Sequence, residues 1–366
     1  MLDYLFGLLS HDVGIDLGTA NILVLVRGKG IIIRESSVVA QHKKTKQILA
    51  IGAEAKKMVG KTPASITAFR PLKNGVIADF DATTAMLKYF IEKVHESHGF
   101  LPKIPRPKVV IGIPSGVTEV ERRAVQEAAF SAGARKAYLI EEPMAAAIGA
   151  SLPIMEPTGS MIVDIGAGTC EIAVISLGGI VVNRSVRVAG DKMDEAIINF
   201  ARLKYSLLLG QPTAEEIKIT IGSAYEAAEK KPSARLRSPK ATYGEVKEKM
   251  MVVRGRDLET GLPKSVKISE AEIREALAPV VNQIVEAVAE TVEETPPELI
   301  SDILEKGITL CGGVSQLSGF DKIIAERTKI PVWLAEDPMT CVVRGCGKVL
   351  EDSELLRKVK VTGGLK

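Results

Sequence analysis

Two aspartates in this chain sit in the same local setting, about half a chain apart. Asp16 follows Val13-Gly14-Ile15 and leads into Leu17-Gly18-Thr19-Ala20-Asn21; Asp164 follows Met161-Ile162-Val163 and leads into Ile165-Gly166-Ala167-Gly168-Thr169. Glycine lets backbone N–H groups approach a ligand closely, and clustered N–H donors beside a hydroxyl suit a polyphosphate. A carboxylate at the end of each leading strand can hold waters on a Mg²⁺, an ion that keeps several waters and takes few protein carboxylates. Two such turns meeting across a cleft would clamp phosphates and metal from both sides. A single Asp-x-Gly-Thr turn would be weak evidence, since Asp and Gly populate ordinary hairpins. The second copy argues against that bland reading.

Each turn needs a frame. Apolar runs follow at residues 22–26 and 172–175, so each Asp lies in a β-hairpin, and the repeat indicates duplicated domains facing one another. Lys108–Ile113 reads as a strand ending at Pro114-Ser115-Gly116. It leads into a helix that starts near Thr118, with Glu121 completing a capping box, and ends at Gly133. The equivalent strand of the second half is placed at 307–310, ending at Gly312-Gly313. Ser269 and Glu272 cap a long amphipathic helix bearing Ile273, Leu277, Val280, Ile284 and Val288, and Pro296-Pro297 precedes the next helix. Hairpins mixed with strand–helix crossovers indicate an α/β architecture.

The bulk properties narrow the class. A chain of 366 residues is long for one core and implies two domains. A net charge of +3 does not suggest a protein that works by neutralising nucleic-acid phosphates. The basic stretch 230–256 reads as a solvated hairpin or small subdomain, because Glu245 and Glu248 interleave and aromatics are scarce. Cys170, Cys311, Cys341 and Cys346 have neither metal-ligand spacing nor a secreted disulfide pattern, which fits a reducing cytoplasm. No apolar run reaches the ~20 residues of a spanning helix. The N-terminal segment would place Leu2, Leu5, Phe6 and Leu9 on one helical face, suited either to packing on the protein's own surface or to lying on a membrane. Phe100-Leu101, flanked by Lys103 and Arg106, reads by itself as a loop whose aromatic tucks onto the core.

The order of these motifs resembles the actin superfamily: a phosphate motif at 15–24, a connecting motif at 114–133, a second phosphate motif at 162–175, an adenosine motif at 308–320 and a second connecting motif at 337–350. Within it the chain is similar to the MreB family of bacterial actin homologues over nearly its whole length. The nearest stretches are 139–149 around Glu141-Glu142-Pro143, 189–197 around Ala189-Gly190-Asp191, and 295–299 around Thr295-Pro296-Pro297. The resemblance implies an α/β, actin-like ATPase fold: two duplicated RNase H-like domains flanking a nucleotide cleft, each with a small extra subdomain. Domain I would span 1–152, with an insert at about 33–73 and completion by 338–366; domain II would span 153–337, with an insert at about 183–256.

It also implies roles. Asp16 and Asp164 would organise Mg²⁺ through water, and Gly18, Thr19, Ala20, Asn21, Gly166, Ala167 and Gly168 would contact the phosphates of ATP or ADP. Glu142 would position the attacking water with Thr169 and Asp164. Glu215 and Lys218 would contact the ribose, and Gly312 and Gly313 would pass under the adenine and α-phosphate. Without the resemblance, Glu215 and Lys218 read as a surface salt bridge one helical turn apart, and one of Glu141 and Glu142 as charge complementing a helix N-terminus. Phe100 and Leu101 match the family's membrane loop, which would join the N-terminal segment in peripheral binding to the inner face of the cell membrane. The family assembles head to tail into paired protofilaments with slow ATP hydrolysis, alongside membrane proteins of cell-wall elongation, and maintains rod shape. An FtsA- or PilM-like adaptor or a sugar kinase is the alternative of the same superfold. The insert at 34–70 favours the filament former over the adaptor, and no aspartate base beyond the two turns favours the kinase. Ala167 and Val314 stand where most relatives carry glycine, and Cys170 where they carry threonine. Alanine and valine resist positive φ, so these turns are expected to differ slightly in shape.

Overall fold

The computed structural model describes residues 10–96, 106–226 and 248–361. The first apolar run forms β1 (Val13–Leu17) and returns as β2 (Asn21–Val26) and β3 (Gly30–Ser36). A small unit follows, made of β4 (Val39–His42), β5 (Ile48–Ile51), α1 (Ala53–Met58) and β6 (Ile66–Phe69). Its three strands close over a minor core of Val38, Ala40 and Ala55. β7 (Leu72–Lys73) and β8 (Val76–Ile77) make a hairpin over Asn74-Gly75, both at positive φ, as a two-residue turn between twisted strands requires. The chain continues through α2 (Phe80–His95), β9 (Lys108–Ile113), α3 (Glu119–Ser131), β10 (Lys136–Glu141) and α4 (Glu142–Gly149).

The second half begins with β11 (Ser160–Ile165), β12 (Cys170–Ser176) and β13 (Gly179–Val186). α5 (Gly190–Tyr205), β14 (Leu207–Leu208), α6 (Gln211–Ile221), β15 (Met250–Asp257) and β16 (Pro263–Ser269) follow, and β14, β15 and β16 form a separate three-stranded sheet. α7 (Glu270–Glu294), α8 (Pro297–Lys306), β17 (Ile308–Cys311), α9 (Phe320–Thr328), β18 (Val332–Leu334), α10 (Cys341–Glu351) and α11 (Ser353–Val359) complete the described chain.

The duplication read from the two aspartate turns is a duplication of whole sheets. One sheet runs β3-β2-β1-β9-β10 and the other β13-β12-β11-β17-β18. In each, two antiparallel pairings are followed by two parallel ones. Their leading strands β1 and β11 are buried nearly throughout, which explains why both read as apolar runs rather than as alternation. Both predicted capping boxes form, Thr118 with Glu121 and Ser269 with Glu272, each worth about 1 kcal/mol to its helix. The second-half strand starts at Ile308, one residue later than the 307–310 expected, because Gly307 at φ 85° ends α8.

The two sheets meet over a pair of small-residue helices. A Cβ on Gly149 of α4 would lie 1.8 Å from the carbonyl oxygen of Cys341, and one on Gly345 of α10 would lie 1.8 Å from that of Ala145. Only glycine permits these backbones to approach so closely. A shared core joins Val110 and Ile140 of one sheet to Ile162 and Ala173 of the other through Ala145, Ala146 and Ala147. This seam forms the floor beneath the aspartate turns. Among the described residues no helix is long and apolar enough to cross a membrane, and all four cysteines are free and buried.

Candidate functional site: a cleft between two aspartate turns

Each turn is held by something other than its own sequence. Ser37 Oγ donates to the Gly18 carbonyl at 2.7 Å, and Thr19 Oγ1 accepts from the Gly75 N–H at 3.0 Å. Around the second turn, the first N–H groups of α5 reach back. Asp191 N donates to the Ala167 carbonyl at 2.8 Å and Gly190 N to that of Gly166 at 3.2 Å. The turns also touch: a Cβ on Gly168 would sit 2.5 Å from Thr19 Oγ1 and 2.9 Å from Asn74 Cα.

The space they enclose is a cavity of about 610 Å³, within the range of small-molecule sites. Every residue that the sequence assigned to nucleotide, metal or hydrolysis lines it. Asp16, Gly18, Thr19, Ala20 and Asn21 come from the first hairpin, and Asp164, Gly166, Ala167, Gly168 and Thr169 from the second. Glu142 comes from the start of α4, Glu215 and Lys218 from α6, and Gly312 and Gly313 from the loop after β17. Neither Ala167 nor Val314 stands at positive φ, so neither side chain strains its own backbone. Val314 instead begins a short 3-10 turn, Val314–Gln316. The position that does need glycine is Gly312, at φ 83°, where a Cβ would fall 2.4 Å from Asp164 Oδ1.

The floor concentrates acid. Burial pushes Asp16 up to about 7. Asp164 is raised well above the ordinary carboxylate range by burial, then by the charges of Asp16, Cys341 and Glu171, with a Cys311 hydrogen bond opposing. Glu142 is likewise raised by burial, then by Glu171, Asp16 and Asp164. Burial is the largest cause at all three. Among the described residues no cluster of three or more His, Cys, Asp or Glu is arranged to ligate a metal directly. Asp16 and Asp164, two carboxylates lining one cavity, are the residues that would hold a Mg²⁺ through waters.

Three site features were not read from the sequence. Glu171 is 1% exposed, accepts from Ser115 N at 3.1 Å and Ser185 Oγ at 2.7 Å, and so ties the loop after β9 to the second sheet. A charged residue inside the apolar run after Asp164 was its one available signal. Asn74-Gly75 props Thr19, and that dipeptide is a recognisable hairpin turn. Lys218 and Glu215 do not pair with each other. The Lys218 ammonium is 2.7 Å from Asp194, while Glu215 meets Lys56 of α1 across the cleft at 3.0 Å. Arg70 and Asp191 form a second cross-cleft pair at 2.6 Å.

The membrane candidates Leu2, Leu5, Phe6, Leu9, Phe100 and Leu101 lie outside the described residues, as does most of the basic stretch. Their points of departure are visible. Ser10 is hydrogen-bonded to His95 Nε2 at 3.0 Å and accepts from Arg106 N at 3.1 Å. Ser10, His95 and Arg106, the described residues that border those segments, are therefore joined by hydrogen bonds.

The sequence profile described as MreB/Mbl protein matches residues 10–358. The chain is also 50% identical over 355 residues to the cell shape-determining protein MreB of Escherichia coli (strain K12), covering 96% of each. The chain belongs to the MreB/Mbl family. Its fold is that of the family's solved members. MreB5 of Spiroplasma citri bound to ADP superposes with a TM-score of 0.84 at 38% identity, covering 95% of this chain and 98% of that one. The same protein bound to AMPPNP gives 0.83 at 36% identity, covering 96% and 98%. The architecture is thus an α/β, actin-like one built on two duplicated sheets.

Proposed function

We propose that this chain binds ATP with Mg²⁺ in the cleft and hydrolyses it slowly. Nucleotide binding drives its head-to-tail assembly into paired filaments that maintain cell shape. The observation that carries this reading is the convergence of both aspartate turns, Glu142 and the Gly312-Gly313 loop on one cavity. A relative 50% identical determines cell shape, and another has been solved with ADP and with a non-hydrolysable ATP analogue.

Bound Mg²⁺ would neutralise charge on the phosphates. The backbone N–H groups of both turns would cradle them, and Glu142 and Thr169 would align the attacking water, a step that is largely positioning and electrostatics. Domain I (1–152, completed by 338–366) and domain II (153–337) are the bodies that ATP would draw together. Closure would favour the subunit competent to stack, in a heterologous contact that propagates as an open filament. The hydrogen bonds that join Ser10 to His95 and Arg106, residues bordering both membrane candidates, support peripheral attachment to the inner face of the membrane. Two weak insertions would be multiplied by avidity along a filament, near the membrane proteins of wall elongation.

Electron microscopy of the purified chain with Mg²⁺ and ATP, with and without anionic liposomes, tests this. Filaments that form with ATP and coat the liposomes are expected. Persistent monomers under all conditions would overturn the assembly reading.

A further inference from the structure

Lys218 is the one lysine of α6 that lines the cavity, and its surroundings are built with care. Its Nζ donates to the Gly190 carbonyl at 2.9 Å and forms an ion pair with Asp194 at 2.7 Å. Asp194 is 1% exposed. The ammonium also packs against the first turn of α5, where a Cβ on Gly190 would lie 3.2 Å from Nζ. An ammonium has three N–H donors. One is spent on Gly190 and one faces Asp194, which leaves a single donor for the cavity.

As a device for stability such a pair is weak, because desolvation offsets most of the attraction between buried charges. As a device for fixing the position of the ammonium it is effective, since the Gly190 carbonyl that takes one donor and the Asp194 carboxylate that attracts the charge both belong to one rigid helix. One turn back along α6, Glu215, whose carboxylate also meets Lys56, lines the same cavity and offers acceptors. A fixed donor beside an acceptor matches a vicinal diol, whose hydroxyls each donate and accept.

We propose that Asp194 is the positioning residue for Lys218, aiming its remaining N–H at the ribose 2′-hydroxyl of the bound nucleotide; this rests on the nucleotide reading of the cleft. Asp194 then acts on sugar recognition without touching the sugar. Burial raises its carboxyl to about 6, against the pull of Lys218, so it remains mostly ionised at neutral pH.

The test is calorimetric titration of the full chain with Mg²⁺ and either ATP or 2′-deoxy-ATP. In Asp194→Asn the preference for ATP over the deoxynucleotide should fall on the order of tenfold, the scale of a hydrogen bond to a charged group. Affinity for the deoxynucleotide and phosphate release from saturated enzyme should be unchanged. Adding Asp194→Asn to Lys218→Gln should remove no further preference. An unchanged preference in Asp194→Asn, or equal losses for both nucleotides, overturns the proposal. If Asp194→Asn alone does not fold, the uncharged pair Asp194→Asn/Lys218→Gln serves instead, and wild-type preference in it is equally fatal. Failure of the wild type to bind either nucleotide would sink the nucleotide reading itself, a result distinct from binding with intact sugar preference.

Discussion

The two aspartate turns have similar sequences and are held by different means. The first is the shorter, three residues between Leu17 and Asn21, and it is anchored by the Ser37 hydroxyl on the Gly18 carbonyl and by the Gly75 N–H of a neighbouring hairpin on the Thr19 hydroxyl. The second has four residues between Ile165 and Cys170, and the N-terminal N–H groups of α5 anchor it. Their charge also differs. Burial alone accounts for the shift at Asp16, whereas Asp164 also faces Asp16, Cys341 and Glu171. A motif thus fixes which donors are offered, while the element packed behind it fixes where they point.

The sharpest way to break this comparison is at the residue both turns serve. Glu142→Ala should slow phosphate release by roughly 10²-fold or more, the usual contribution of a positioned acid or base, while ATP binding and filament formation persist. Normal release in a phosphate-burst assay would move the role elsewhere, Glu141 first.

The close approach of the turns gives the next largest effect. Gly168→Ala drives a methyl into Thr19 and the Asn74 backbone, and should weaken ATP binding on the order of tenfold, the scale of overpacking. At Gly166 the nearest protein atom to a new Cβ is the Thr169 carbonyl oxygen at 3.4 Å, so Gly166→Ala should lower the melting temperature of the nucleotide-free protein less than Gly168→Ala does. Equal effects at the two positions would show that the turns do not bear on one another.

The smallest effect is on pH dependence. Asp16 has a folded value of about 7 against an ordinary 3.8. Between these values the folded chain holds a proton that the unfolded chain has lost, so stability of the nucleotide-free protein falls as pH rises through about 7. Its melting temperature without Mg²⁺ should therefore climb on going from about pH 8 to about pH 6, and Asp16→Asn should flatten the slope. A slope of the opposite sign would mean that a group with a lowered value dominates.

Much of this was legible in the sequence because it is local. The two hairpins, the Thr118–Glu121 and Ser269–Glu272 boxes and the strand at Lys108–Ile113 each depend on a few neighbouring residues. Ala167 and Val314 stand at positions without positive φ, and the sequence did not show that Gly312 is the glycine of the site that needs it, nor that Gly168 is a matter of space. The ion pairs Lys218–Asp194, Lys56–Glu215 and Arg70–Asp191 join separate elements. Spacing within α6 instead suggested Glu215 with Lys218, the only partners one helix can offer itself. Glu171 was hidden because a buried acid in an apolar run declares its place only when Ser115 and Ser185 come to it.

The central claim is that two aspartate turns assemble one Mg²⁺-dependent ATP site. Calorimetric titration of ATP into the purified chain, with Mg²⁺ and then with EDTA, tests it most directly. A single site whose affinity rises with Mg²⁺, a rise that Asp164→Asn abolishes, is the predicted result. The same affinity with and without the metal would contradict it.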